Sequence, residues 1–225
     1  MKKTYLPILA LLLASTACKK SSTTPTPPVV LEKYMSSTAG STWLYRQVNN
    51  LTMVTTNYTL TSTNRDSTAN SKVYHVFTNS NTGINEYYNV TGNDYFAFRT
   101  LAAVSNVKLD DLYLKDNSPV GTSWAQTINL TIPGIPLPVP ITITYSIVEK
   151  GIARTVNGIA YTDVIRVSGS ITSTLIPAAN LVTDIQNYFA RKYGFIETNN
   201  KFNLNYLGIV QNTDNKTILL SADIK

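Results

Sequence analysis

Apolar and polar residues alternate with a period of two along much of the chain beyond Glu32. Ile141, Ile143, Tyr145 and Ile147 share one side of such a run, with Thr142, Thr144 and Ser146 on the other. That period predicts a half-buried strand, because successive side chains of a strand point to opposite faces. Phe202, Leu204 and Tyr206 alternate with Asn203 and Asn205, and Ile218, Leu220, Ala222 and Ile224 alternate with Leu219, Ser221 and Asp223. The runs are rich in Thr, Val, Ile, Tyr and Asn, a composition that suits a pleated surface. Turn signals fall between them at Thr82-Gly83, Thr91-Gly92-Asn93-Asp94, Asn157-Gly158, Asn199-Asn200 and Asn212-Thr213-Asp214-Asn215. Asn157-Gly158 is the strongest hairpin signal among them. One stretch competes: Leu181, Ile185, Tyr188 and Phe189 recur at helical spacing behind Pro177. It reads as a short helix or loop near Ala178 to Val182, followed by a strand. The expectation is a single all-β domain over residues 32–225. Its form would be an antiparallel curved sheet, half-barrel or sandwich with at most one short helix.

The pattern also repeats. Gly40-Ser41-Thr42-Trp43 recurs as Gly121-Thr122-Ser123-Trp124, and Tyr58 and Tyr74 have counterparts in Tyr145 and Tyr161, at offsets of 81, 87 and 87. A double-aromatic pair closes each half, Tyr87-Tyr88 and Tyr188-Phe189. Two related halves, 40–100 and 121–199, are one explanation, and chance similarity between β-rich stretches is the other.

The start of the chain is different in kind. Lys2 and Lys3 precede an apolar run from Leu6 to Ala14, and Ser15-Thr16-Ala17 lead into Cys18, the only cysteine. The run is shorter than the roughly 20 residues needed to span a bilayer, and its layout is that of an export signal. The small residues before Cys18 resemble a bacterial lipobox, although Ser15 stands where lipoboxes usually carry Leu. That resemblance implies cleavage after Ala17 and acylation of Cys18, hence a membrane as partner through the lipid anchor. Residues 18–31, rich in Ser, Thr and Pro, read as a tether of up to about 40 Å. Surface-exported lipoproteins of Bacteroidota carry an acidic run after the cysteine. Lys19 and Lys20 occupy that place here, which favours a periplasm-facing position, with the outer membrane as the expected site.

Charge then excludes a class. The formal charge is +6, but from Glu32 onward fifteen basic residues face thirteen acidic ones, leaving +2. Nucleic-acid binding, which rests on clustered Lys and Arg, is not expected.

Candidate chemistry is sparse. His75 is the single histidine and shares a strand face with Val73 and Phe77, so it reads as a core or half-buried residue satisfied by one hydrogen bond. With so few parts, Ser-His-Asp, Cys-His and zinc sites are not expected. No motif implies a catalytic residue, a metal or a cofactor. Asp110, Asp111 and Asp116 lack the spacing of a calcium loop and read as a solvated turn ahead of Gly121. Nothing in the sequence pairs Glu86, Glu149 or Glu197. Tyrosine is abundant, and Tyr87, Tyr88 and Tyr188 are candidate ligand platforms; one member of each aromatic pair should face away from the core. The uncharged Ile132-Pro-Gly-Ile-Pro-Leu-Pro-Val-Pro140 segment makes Ile132, Ile135 and Leu137 a candidate partner surface. Asp66-Ser67-Thr68 resembles a Bacteroidota O-glycosylation acceptor, with Ser67 as the modified residue in a polar loop.

A wider resemblance rests on Tyr145-Ser-Ile-Val-Glu-Lys-Gly151, Thr155-Val-Asn-Gly158, Tyr161-Thr-Asp-Val-Ile165, Tyr188-Phe-Ala-Arg191 with Tyr193-Gly194, and Leu220-Ser-Ala-Asp-Ile-Lys225. These resemble a family of β-rich, lipobox-anchored Bacteroidota envelope lipoproteins. The resemblance implies a compartment and a fold class but no reaction. The function expected is a non-catalytic binding module for an apolar or glycan ligand on an aromatic-lined concave face. The alternative is an assembly component that docks on an envelope protein through the 132–140 segment.

Overall fold

The computed structural model describes residues 31–101, 107–131 and 138–225. Twelve strands form one antiparallel sheet: β1 Thr42–Asn49, β2 Thr55–Ala69, β3 Lys72–Asn79, β4 Asn85–Thr91, β5 Asp94–Leu101, β6 Val107–Lys115, β7 Ser123–Leu130, β8 Val139–Val156, β9 Ile159–Ser173, β10 Leu181–Ala190, β11 Gly194–Tyr206 and β12 Ile209–Asp223. A 3-10 turn, Ala178–Asn180, is the only helical element among the described residues. The all-β expectation holds, and of the forms left open the curved single sheet is the one adopted. Glu32–Lys225 makes one compact unit.

The strand order is β6-β5-β4-β3-β2-β1-β12-β11-β10-β9-β8-β7. Two six-stranded meanders are therefore joined through the first and last strands, and the sheet curls until its edges, β6 and β7, face each other. Among the described residues no ladder closes this seam. Side chains bridge it instead: Trp124 Nε1 donates to the Leu112 carbonyl (2.7 Å), the Tyr145 hydroxyl to Asp111 (3.0 Å) and Lys150 Nζ to the Ser118 carbonyl (3.1 Å). β-Bulges at Leu44/Tyr45, Ser62/Asp66, Tyr95/Phe96 and Tyr188/Phe189 supply the extra twist that such closure requires.

Local chemistry explains most turns. Asn157 and Gly158 join β8 to β9 with φ of 49° and 78°, the positive pair of a type I′ hairpin. Gly40 and Gly121 also have positive φ, and the two repeated segments bond alike. Gly40 N donates to Ser62 O and Ser62 N to Ser41 O, while Gly121 N donates to Ile147 O and Ile147 N to Thr122 O.

Two expected turns are strand instead. Asn199-Asn200 lies inside β11 and Asn212 to Asn215 inside β12, where Asn200 pairs with Asn215 and Asn203 with Asn212. The hairpin falls at Leu207-Gly208, both with positive φ. Polar residues can extend a ladder wherever their partners are equally polar, so Asn density alone misplaced the turn. The C-terminal alternation also slips. Thr217 and Leu219 are buried, and Leu220 is bulged out opposite Leu44–Tyr45, so the inward face passes to Ala222 and Ile224. At 178–189 the expected order is found, a short helical turn at Ala178–Asn180 followed by a strand from Leu181, and a bulge at Tyr188/Phe189 turns Phe189 inward.

One end of the sheet is the floor. There the hairpins 70–71, 92–93 and 157–158 cluster with the chain entry: Tyr34 is fully buried, its N–H donating to the Tyr95 hydroxyl (3.0 Å) and its hydroxyl to the Asp163 carbonyl (2.9 Å). An aromatic core of Trp43, Phe77, Tyr95, Tyr113, Phe189 and Phe195 fills this half. A second, aliphatic cluster (Leu109, Leu130, Val139, Ile141, Ile143, Ile176, Leu181, Leu204) lines the other half.

Glu197 on β11 is a buried carboxylate held by Arg154 (2.7 Å) and Lys216 (3.1 Å). Burial pushes its pKa up, but the hydrogen bonds from Arg154 and Lys216 outweigh it and hold the carboxyl below its ordinary range. A depressed folded pKa gives stability that is present above the unfolded value, about 4.3, and is lost as pH falls through the folded one. Glu197→Gln is therefore expected to cost about 1.5–3 kcal/mol at neutral pH. Urea midpoints of the two proteins should converge as pH drops below about 4. A gap that stays constant with pH would contradict the assignment.

Candidate binding cavity

The curled sheet does not fill its own interior. A cavity of about 1170 Å³ runs from Trp43 and Met35 at the floor to Asn81, Thr82, Ile84 and Ile176 at the opposite rim. Its existence follows from the sheet: twelve strands enclose more space than their inward side chains fill, since barrel width grows with strand number.

The wall has three zones. At the floor are the aromatic residues. Towards the rim are Leu109, Leu130, Ile141, Ile143, Leu181 and Leu204. Between them lies a polar belt, contributed by the neighbouring strands β4 (Glu86), β5 (Arg99) and β6 (Asp111) and, from the other meander, by Tyr145 on β8 and Asn187 on β10. Asp111 accepts from Arg99 Nε (3.1 Å) and from the Tyr145 hydroxyl (3.0 Å). Glu86 accepts from Asn79 (2.7 Å) and from the Tyr88 hydroxyl (2.6 Å).

Arg99 stands apart from the paired carboxylates of this belt. It is surrounded by protein, yet 45% of its side chain is accessible, because what it faces is the cavity. Among the described residues only its Nε has a hydrogen-bond partner, so both terminal nitrogens remain available. Burial works against its charge, but Asp111, then Tyr88, Tyr145 and Glu86, hold the guanidinium protonated. Burial pushes the Asp111 carboxyl up, opposed by Arg99 and Tyr145. Burial and then Glu86 push Tyr58, also on the wall, up to about 12, so its hydroxyl stays a neutral donor. Two buried polar atoms lack partners among the described residues, Trp43 Nε1 and Asn215 Oδ1, and both residues line this cavity.

The structure redistributes the residues singled out in the sequence. Tyr87 and Tyr88 both border the cavity; Tyr88 is buried, while Tyr87 is half-buried and lies edge-on to Phe98. Tyr188 does not line it, and its ring lies under Arg154, 3.5 Å from the guanidinium carbon. Ile132, Ile135 and Leu137 fall outside the described residues, as does Cys18. Val139 and Pro140 of the same segment open β8, with Val139 buried opposite Leu130. Ser67 is on β2 opposite Tyr74, half-buried, rather than in a loop.

The aspartates are not a solvated turn. Strand alternation sends Asp111 into the cavity and Asp110 to Lys72 (2.7 Å) and Tyr74 (2.5 Å), while Asp116 is buried against the Tyr95 hydroxyl (2.7 Å). The belt was missed because Glu86, Arg99 and Asp111 are far apart in sequence and meet only through the register of β4, β5 and β6.

His75 is half-buried, as the sequence allowed, but it has two hydrogen-bond partners and not one. Its Nε2 is 2.9 Å from Ser62 Oγ and its Nδ1 2.9 Å from Asp66 Oδ1, a Ser-His-Asp line that a single histidine suffices to make. The burial is the reverse of a nucleophile site. Ser62 is 1% exposed and donates to the Ser37 carbonyl (3.0 Å), and Asp66 is the exposed member. The three residues span the bulge at which Thr63-Asn64-Arg65 oppose Val76, and they fasten it.

No family model matches the chain, and no curated protein matches it. Among solved structures, the chain is similar to a candidate lipoprotein from Parabacteroides distasonis, at 8% identity and a TM-score of 0.47, over 86% of this chain and 100% of that one. It is also similar to a candidate exported protein with a YmcC-like fold from Bacteroides fragilis, at 10% identity and a TM-score of 0.48, over 85% of this chain and 99% of that one.

Proposed function

We infer that the β unit is a non-catalytic, envelope-located binding module whose interior takes an amphiphile. The hydrocarbon part would lie in the aliphatic half and an anionic head beside Arg99. The carrying observation is the cavity itself, large for a small-molecule site (typically about 300–1,000 Å³) and divided into an apolar zone and a polar belt. The free guanidinium nitrogens favour a carboxylate over a neutral head, since Arg binds such groups with two parallel hydrogen bonds. The aliphatic lining supports the apolar reading of the ligand over a glycan. The envelope location rests on the export and acylation pattern at residues 1–18.

The test uses the full chain and a fluorescent long-chain fatty acid, competed by a carboxylate and an alcohol of equal chain length. Saturable binding is expected. Arg99→Gln should weaken the carboxylate about 10- to 100-fold, the worth of one charge-assisted contact, and leave the alcohol unchanged. Absence of saturable binding by either competitor would overturn the reading.

A further inference from the structure

The rim of the cavity is unlike the rest of the surface. The four described connections that meet there are 50–54, 80–84, 174–180 and 207–208. None of them contains Asp, Glu, Lys, Arg or His, in a chain that is 14% charged. Each carries an exposed large apolar side chain: Met53 with Leu51 and Val54, Ile84, Leu175, and Leu207 with Val210 just beyond it. At the floor end, by contrast, Glu32, Lys33, Asp116, Arg191 and Lys192 stand among the connections.

Two of these tips are held at a conformational cost. Met53 has φ of 59° and is 75% exposed, and Leu207 has φ of 50° and is 68% exposed. Bulky side chains rarely adopt the left-handed region, where Gly and Asn are favoured. Neither residue gains burial in return. A tip that is both strained and apolar serves no purpose within the fold, so its partner lies outside it.

We propose that this rim is a membrane-docking surface that inserts its apolar tips into a lipid bilayer. The chemistry favours lipid over a folded partner: the exposed tips are aliphatic, and the four connections that carry them offer no ionisable side chain for a protein to pair with. Ile84 joins the two environments, since it is exposed on the rim and also lines the cavity. Hydrocarbon outside would thus be continuous with the aliphatic zone inside. The lack of ionisable residues in the four connections fits hydrocarbon, where each ionised group would be heavily penalised, and the carboxylate beside them, Asp214, is held back on β12 by Asn50 (2.6 Å). Docking does not depend on what the cavity holds, so this surface stands even if the cavity proves to take no amphiphile.

The test uses the full chain with Cys18→Ser, so that one new thiol can carry an environment-sensitive fluorophore. One protein is labelled at Leu175→Cys on the rim and another at Val73→Cys, which is exposed at the floor end. Each is added to vesicles of phosphatidylethanolamine and phosphatidylglycerol, with and without a lipid-borne quencher. The rim label should brighten and be quenched, and the floor label should do neither. Adding Met53→Asn and Leu207→Asn should weaken the rim response about tenfold or more, because two apolar side chains are withdrawn from lipid. The same pair should leave the urea midpoint unchanged or raise it, since Asn tolerates positive φ. Equal responses at both ends, or a rim response that the Asn pair does not weaken, would overturn the proposal. A rim signal that rises with protein concentration in the absence of vesicles would also do so, by pointing to a second copy.

Discussion

Phe189→Ala is expected to lower the unfolding free energy by about 3–5 kcal/mol, the largest loss of any single truncation considered. Phe189 is essentially inaccessible and lies at the centre of the floor, with its ring 4.6 Å from that of Phe195 and 5.6 Å from that of Tyr113. Removing it opens a void walled by rigid rings that cannot collapse, and forfeits two aromatic contacts as well. Ile143→Ala provides the contrast. Ile143 borders the cavity, so its truncation enlarges an existing space and does not create one, and about 2 kcal/mol is expected. Urea unfolding of the two variants, with m-values checked for equality, would decide the matter. Similar losses would mean that the interior is packed to the same density throughout, contrary to a filled floor beneath an open cavity.

Asp111→Leu is expected to cost about 2–3 kcal/mol, and Arg99→Met added to it should restore most of that loss. The reason is asymmetry. Asp111 is almost fully buried and is the acceptor for both Arg99 and Tyr145. Taking it away leaves a guanidinium enclosed by protein with only the weaker influence of the Glu86 carboxylate to offset its charge, and leaves the β6–β8 bridge across the seam unmade. The figure sits below that for a fully dry ion pair because Arg99 keeps contact with the cavity. Replacing both partners by apolar side chains removes the charge together with its need for a partner. Recovery in the double variant would show that the belt is held for what it presents to the interior, at no net gain in stability. A double variant as unstable as the single would instead assign the pair a structural role.

The fold was legible in the sequence wherever one face of a strand is buried. Ile141, Ile143, Tyr145 and Ile147 announced β8, and Asn157-Gly158 announced its hairpin, because burial and turn geometry impose those residue types. Legibility failed where both faces are polar, as at Asn199–Lys201 against Asp214–Lys216, and where a bulge reverses parity, as at Leu220 and Tyr188. The candidate site was only partly visible. An aromatic-lined interior could be anticipated from Tyr88 and its neighbours, whereas the Glu86–Arg99–Asp111 belt depends on the register of three strands, which no local pattern encodes. His75 shows the same limit: its partners Ser62 and Asp66 are brought to it by a bulge.

The strand order has a consequence for how the chain reaches this state. The one junction that unites the two meanders is β1 with β12, the first strand with the last, whereas the seam left without a ladder lies between β6 and β7, which are consecutive in sequence. Every other pairing is a hairpin between sequence neighbours and closes a short loop, but β1 with β12 closes nearly the whole chain, and loop closure of that length is entropically the most expensive step. During synthesis β1 has no partner on that side until residues 209–223 have emerged. An unpaired edge next to an apolar interior is the feature by which β proteins aggregate. The last fifteen residues of the sheet are therefore what ends that exposure.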